Sequence, residues 1–190
     1  MSGAGAAPRF VWVDGRVLAA DEPQITVFDR GFQLGDGLFE TLRARGGRLT
    51  EISEHVARLR RSARGLDIDL PPDLDGLLRA GIAELLAAEG LDGPDGDASI
   101  RITVTRGAWS SRGLLPPKGE RLTATIAIQA WPVTPAPTAH LEAGLHLVAS
   151  AVRRDPANPI VTLKTTSRAD YVYARLEARR AGADDALFLT

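Results

Sequence analysis

The clearest pattern in the chain is a strict alternation in S-I-R-I-T-V-T-R-G, which begins at Ser99. Ile100, Ile102 and Val104 fall on one side, and Arg101, Thr103 and Thr105 on the other, as in a half-buried strand. Residues 10–13 and 16–18 flank Asp14-Gly15 and read as a hairpin, because Asp-Gly suits a type I′ turn. Q-I-T-V-F, which follows Pro23, is a compact strand candidate. Residues 38–44 read as another strand, turning at Gly46-Gly47 into R-L-T, and residues 122–131, 145–152 and 186–189 complete the set.

Helical periodicity takes over at Glu51. Ile52, Val56, Leu59, Ala63 and Leu66 recur every three or four residues, with Gly65 suited to the stop. After Pro71-Pro72, a second amphipathic helix spans about residues 73–89, with Leu74, Leu77, Leu78, Ile82, Leu85 and Leu86 as its stripe. A third follows Ser167, with Ala169, Val172, Tyr173 and Leu176 turned inward, and ends near Gly182. W-P-V-T-P-A-P-T-A, residues 131–139, is the best linker. The fold class is α+β, in two parts joined by that linker, with no internal repeat.

Between Q-I-T-V-F and residue 38 runs D-R-G-F-Q-L-G-D-G. Its glycines at 31, 35 and 37 predict a tight, irregular connector. Their spacing matches neither the dinucleotide nor the P-loop pattern.

Bulk properties narrow the function. A net charge of −1 gives no general case for nucleic acid or an anionic membrane. No apolar run reaches membrane-spanning length. The N-terminus lacks the basic and apolar regions of a secretory signal and reads as a short disordered lead. The chain has no cysteine, which fits the cytoplasm, and its histidines, His55, His140 and His146, lack ligand spacing, so no metal centre is expected. Arg58, Arg60, Arg61 and Arg64 crowd one helix. Such a run is ordinarily a solvated face, and one arginine clamping a phosphate is the economical functional reading.

Lysine usage carries the strongest chemical hint. Only Lys118 and Lys164 are lysines among 23 basic residues. Arginine stays protonated, whereas a lysine can attack a carbonyl as a free amine. Four of the five residues before Lys164 are apolar, so it ends a strand-like run. Thr-Thr-Ser follows, where Ser167 can cap a helix with Asp170 three residues on. A lysine between a buried strand and a helix start sits where low dielectric favours the neutral, nucleophilic form of an amine. Lys164 is the candidate catalytic residue.

Three blocks in order, D-R-G-F-Q-L-G-D-G-L-F-E-T, H-V-A-R-L-R-R-S-A and L-K-T-T-S-R with D-D-A-L-F-L-T, resemble the class IV aminotransferase family. These are the fold type IV pyridoxal-phosphate enzymes, similar to D-amino-acid aminotransferase. The family includes branched-chain and D-amino-acid transaminases and 4-amino-4-deoxychorismate lyase, and the similarity runs from about Phe10 to Thr190.

The resemblance implies a pyridoxal 5′-phosphate cofactor, with Lys164 as the Schiff-base lysine and Arg58 gripping the cofactor phosphate. Arg168 stands where transaminases often carry a Tyr near the cofactor's ring oxygen. Phe39 and Thr41 would line the substrate pocket, with Leu34 replacing an aromatic. Arg106-Gly107 and Arg112-Gly113 resemble the R-G-x-x-x-R-G loop of the lyases, one residue longer, which makes Arg106 and Arg112 substrate-binding candidates. A small-molecule amino substrate and a homodimer are implied.

The lyase, which gives 4-aminobenzoate and pyruvate in the folate pathway, leads over a transaminase on the strength of K-T-T-S-R and the arginine loop. The implied organisation is an N-terminal α/β domain over residues 1–130, the linker at 131–139, and the start of a cofactor-binding domain over 140–190. Because family members continue further, that second domain is expected to be truncated. The reading from another class is an inactive relative that serves as a binding module.

Overall fold

A computed structural model describes residues 7–22, 24–135 and 138–190. The expected disordered lead, for its first six residues, and Ala136 and Pro137 of the expected linker lie outside the described residues. Two compact units emerge. Of the described residues, one comprises 7–133 together with Leu163–Ser167, the other Thr134–Thr162 and Arg168–Thr190.

The first unit is built on an antiparallel six-stranded sheet. β1 (Phe10–Val13) and β2 (Arg16–Ala19) form the expected hairpin, and Asp14 and Gly15 both take positive φ, as a type I′ turn requires. Q-I-T-V-F is not a strand. Ile25, Val27 and Phe28 are exposed, and the segment turns through a hydrogen bond from the Asp29 amide to the Thr26 carbonyl (3.0 Å). The glycine-rich segment is not wholly irregular either. It holds a five-residue helix, α1 (Arg30–Leu34), capped by the Asp29 side chain on the Gly31 amide and closed by Gly35 in the left-handed region.

β3 (Gly37–Arg45) and β4 (Arg48–Leu49) follow, then α2 (Ile52–Leu66) and α3 (Leu74–Glu89), with Asp73 capping α3. α2 does not stop at Gly65. It runs one residue further and closes on Asp67 in the left-handed region. β5 (Asp97–Thr105) and β6 (Thr125–Pro132) complete the sheet, in the order β2-β1-β6-β5-β3-β4. β6 begins three residues later than expected and takes in the first two positions of the predicted linker.

Sheet parity follows the alternation in sequence. Trp12, Leu38, Leu42, Ile100, Ile102, Val104, Ile126 and Ile128 meet the stripes of α2 and α3 in one core. Phe39, Thr41, Arg101, Thr103, Ala127 and Gln129 occupy the opposite face, away from α2 and α3, where α1 packs beside Thr105. Leu163–Ser167 joins this sheet. A bridge pairs Leu38 with Thr165 antiparallel, the Phe39 amide donates to the Lys164 carbonyl (2.9 Å), and the Thr166 amide donates to the Gly37 carbonyl (2.8 Å). The strip thus lies along β3 near its start, while β4 pairs near its end, at Ala44 and Arg45.

The second unit contains α4 (Thr138–Ala143), β7 (Leu147–Arg153), a single 3-10 turn (Pro159–Thr162), α5 (Ala169–Arg180) and β8 (Asp185–Leu189). β7 and β8 pair in parallel, with α5 between them in the chain and packed on both. Three local expectations change here. The apolar run before Lys164 is the 3-10 turn rather than a strand, and Ile160 is exposed. The N-cap of α5 is Arg168, without a side-chain cap bond, rather than Ser167. On α5, Ala174 and Ala178 are buried, while Val172 and Tyr173 are exposed. Short alanines let the helix lie close to the two strands, which turns the larger side chains outward.

Two glycines make the packing testable. A Cβ at Gly81 in α3 would meet Trp12 Cε2 at 2.6 Å. Gly81→Ala would ordinarily gain about 1 kcal/mol of helix propensity. Here overpacking against the indole is expected to outweigh that gain, for a net loss of about 1–2 kcal/mol in urea unfolding. A Cβ at Gly37 would meet the Val104 carbonyl at 2.8 Å and Thr166 Oγ1 at 3.1 Å. Gly37→Ala is expected to speed hydrogen exchange at the Phe39 and Thr166 amides well above any change in α3.

Candidate active site

Antiparallel register decides where Lys164 points. Lys164 lies beside Phe39, so the two side chains share the face opposite α2 and α3, and Lys164 Nζ stands 4.8 Å from the centroid of the Phe39 ring. The neighbouring Leu163 turns to the helix side, where its Cδ2 would be 2.8 Å from a Cβ at Gly65. The absence of a side chain at Gly65 is what admits the strip. The Lys164 amide donates to Ser62 Oγ (3.3 Å), and Thr166 Oγ1 donates to the Gly35 carbonyl (2.8 Å). A lysine on a free loop would pay rotamer and backbone entropy to reach a fixed reactant, whereas this one stands on a paired backbone.

A second cation shares the ring. Arg101 Cζ lies 4.1 Å from the Phe39 centroid, reaching it from β5, where Arg101 pairs with Thr41. Cations over an aromatic face are held by the ring quadrupole. The face opposite α2 and α3 therefore presents an amine and a guanidinium together, with Thr41 beside them. Nearby it hollows into a cavity of about 340 Å³, with Val11, Val13, Thr103, Ala127 and Gln129 on its floor and Thr166 among its lining residues.

Arg58 extends from α2, one turn before Ser62, so both residues lie on the same side of the helix. Its Nε donates to Glu40 Oε1 (2.7 Å) and its Nη2 to Oε2, a bidentate fork. His55 Nδ1 lies 2.8 Å from the same Oε2. The hydrogen bond to Glu40 raises the Arg58 pKa above its ordinary value, so the guanidinium stays charged. The Glu40 carboxylate is 1% exposed, while the Arg58 side chain is 43% exposed. The guanidinium thus stands between a buried anion and solvent.

The other expected residues are placed differently. Arg106 donates from Nε to Asp36 Oδ2 (2.7 Å), from Nη1 to the Asp67 carbonyl (2.7 Å) and from Nη2 to the Leu66 carbonyl (2.6 Å). These bonds tie the end of α2 to the segment before β3. Leu34, at the end of α1, lines a cavity of about 800 Å³ together with Arg106. Arg112 is exposed on the loop after β5. The buried Arg30, paired with Asp36 (2.8 Å), holds that loop by donating to the Gly113 and Leu114 carbonyls. Arg168 belongs to the second unit, where its guanidinium lies over the Tyr171 ring. The first unit thus brings together Lys164, Phe39 and Thr41 on the sheet face opposite α2 and α3, with Arg58 anchored on the other side.

Glu40, Ser62 and Arg101 were not singled out from sequence. Glu40 had a readable signal, since it is an acid at an inward position between Leu38 and Leu42. Ser62 and Arg101 had none beyond parity, because their roles come from contacts with residues 102 and 62 positions away in the chain.

The sequence model of the amino-transferase class IV family matches residues 37–190. The chain is 34% identical over 183 residues to a Methanocaldococcus jannaschii protein named as a branched-chain-amino-acid aminotransferase, covering 94% of this chain and 59% of that one. The structure of 4-amino-4-deoxychorismate lyase from Pseudomonas aeruginosa superposes with a TM-score of 0.75 at 33% identity, covering 94% of this chain and 60% of that one. A hypothetical aminotransferase from Mycobacterium tuberculosis in its PLP-bound form gives 0.72 at 28% identity, covering 94% and 61%. The chain spans about three fifths of the length of these relatives. With the family match over most of its length and the fold shared with solved members, this chain belongs to the class IV aminotransferase family.

Proposed function

We propose that this chain carries the lysine and phosphate-anchor half of a pyridoxal-phosphate site acting on an anionic amino substrate. The observation that carries the reading is the shared ring. Lys164 Nζ and the Arg101 guanidinium both stand on Phe39, so an amine and a carboxylate receptor face one substrate volume. The residues fit the cofactor's chemistry. Lys164 would offer an amine to its carbonyl, Arg58 would offer a fixed guanidinium to its phosphate, and Arg168 is the candidate for its ring oxygen. When bound, pyridoxal phosphate supplies an electron sink for the carbanion chemistry.

The chain's own residues do the rest. Lys164 Nζ would take a proton from the substrate α-carbon as general base and return one as general acid. Phe39 gives the amine an apolar seat, and the backbone bonds to Ser62 and Phe39 keep its Cα fixed. Arg101 holds a substrate carboxylate, and the adjoining cavity takes the part of the substrate beyond it.

Of the two reactions in the family, we favour elimination of pyruvate from 4-amino-4-deoxychorismate, leaving 4-aminobenzoate. Arg168 in K-T-T-S-R and the lyase neighbour at 33% identity support it. Branched-chain transamination is the second reading, supported by the relative at 34% identity. A homodimer is part of the proposal, and sedimentation of the loaded protein checks it.

Two measurements test this. With cofactor bound, 4-amino-4-deoxychorismate is expected to yield stoichiometric pyruvate with no accumulation of the pyridoxamine form. Accumulation of that form with L-leucine or L-valine, without pyruvate release, would move the assignment to a transaminase. Arg101→Gln is expected to raise KM for an anionic substrate about 10- to 100-fold, the size of one lost charge-assisted hydrogen bond of about 1.5–3 kcal/mol. An unchanged KM would remove Arg101 from the site.

A further inference from the structure

Glu40 is a titratable group that the reaction above does not use. It sits in the middle of β3 on the core face, opposite Ile102 in β5, and is among the fully buried residues. An isolated carboxylate there would be strongly disfavoured, and burial is tolerated because Arg58 and His55 both bind it. A buried ion pair is weak as a stabiliser, since well-packed apolar residues often serve as well or better. The arrangement therefore calls for a reason other than stability.

The geometry supplies one. Arginine side chains carry large rotamer freedom, and an anion receptor that must first be immobilised loses affinity to that entropy. Glu40 grips Arg58 along its Nε–Nη2 edge, which fixes the plane of the guanidinium and leaves the Nη1 edge as the one an anion can meet. His55, one turn before Arg58 on α2, occupies the carboxylate from the other side at Oε2 and lies 3.2 Å from Arg58 Nη2. The strand that carries Glu40 also carries Phe39, whose amide binds the Lys164 carbonyl. One strand thus sets both the amine and the anion receptor.

We infer that Glu40 is a positioning residue: it preorganises Arg58 as the receptor for a phosphate monoester on the reactant held at Lys164. This rests on the reading of Arg58 as the phosphate anchor, and it assigns the receptor's affinity to a buried carboxylate that never touches the ligand.

The test compares the full chain with Glu40→Gln, Glu40→Asp and Arg58→Lys. Dissociation constants for pyridoxal phosphate and for pyridoxal, which lacks the phosphate, are read from absorbance titration. Glu40→Gln and Glu40→Asp are each expected to weaken pyridoxal phosphate about tenfold or more, the scale of lost outer-shell support, and to leave pyridoxal within about twofold. Without any ligand, the Arg58 Nε–H resonance is expected to be sharp in the wild type and broadened in Glu40→Gln.

Selective loss in Arg58→Lys with none in the folded Glu40 variants would overturn the inference and keep the anchor. No loss in Arg58→Lys would overturn the anchor itself and the inference with it. Equal loss of both ligands in the Glu40 variants, or a sharp Nε–H signal in Glu40→Gln, would show that Glu40 serves only the fold. Glu40→Asp keeps the charge and protects the comparison if Glu40→Gln does not fold.

Discussion

Five residues of backbone pairing fix where Lys164 stands. Leu163–Ser167 lies antiparallel to the start of β3, held by the Phe39 and Thr166 amides and by the bridge between Leu38 and Thr165. Because side chains alternate along a strand, a slip of one residue would turn Lys164 toward the helices and leave Leu163 or Thr165 over Phe39. Register is set on both sides. Leu163 needs the space over Gly65, and Thr166 needs Gly37 to come close. The position of one amine is thus a consequence of strand parity and two missing side chains.

The same strand works on its other face. Between Leu38 and Leu42 the inward position is Glu40, and its charge is matched by Arg58 and His55 from α2. Well-packed hydrocarbon at such a position is often as stable or more so, and α2 would then have no fixed cation beside Ser62. Two faces of one nine-residue strand therefore hold the Lys164 amine over Phe39 and the Arg58 guanidinium on Glu40. In the function proposed above, that pairing would meet the two needs of a phosphorylated aldehyde.

Much of this was legible beforehand, where short-range rules govern. The alternation around Arg101, the Asp-Gly hairpin and the stripes of α2 and α3 depend on local periodicity, and each was found close to where it was expected. Q-I-T-V-F looked like a strand by composition, yet it closes on itself at Thr26 and Asp29. The apolar run before Lys164 was shifted because Asn158 and Pro159 favour a turn: the Val161 amide donates to the Asn158 carbonyl and Thr162 Oγ1 to the Pro159 carbonyl. Pairing begins only after that turn. Arg106 was expected near a substrate, but its donors are engaged by Asp36 and by two carbonyls about 40 residues away in sequence, contacts that no local pattern records. The family blocks located Lys164 and Arg58 without showing what holds them. That came from Ser62, Glu40 and Phe39.

The most direct measurement is covalent. The protein is incubated with pyridoxal phosphate, reduced with borohydride and digested for peptide mass mapping. With Lys118 and Lys164 as its only lysines, the result has few readings. The account predicts the reduced pyridoxyl mass on the peptide that contains Lys164, with Lys118 unmodified and no label in Lys164→Ala. Label on Lys118 alone, or equal label on both lysines that persists at Lys118 in Lys164→Ala, would contradict it.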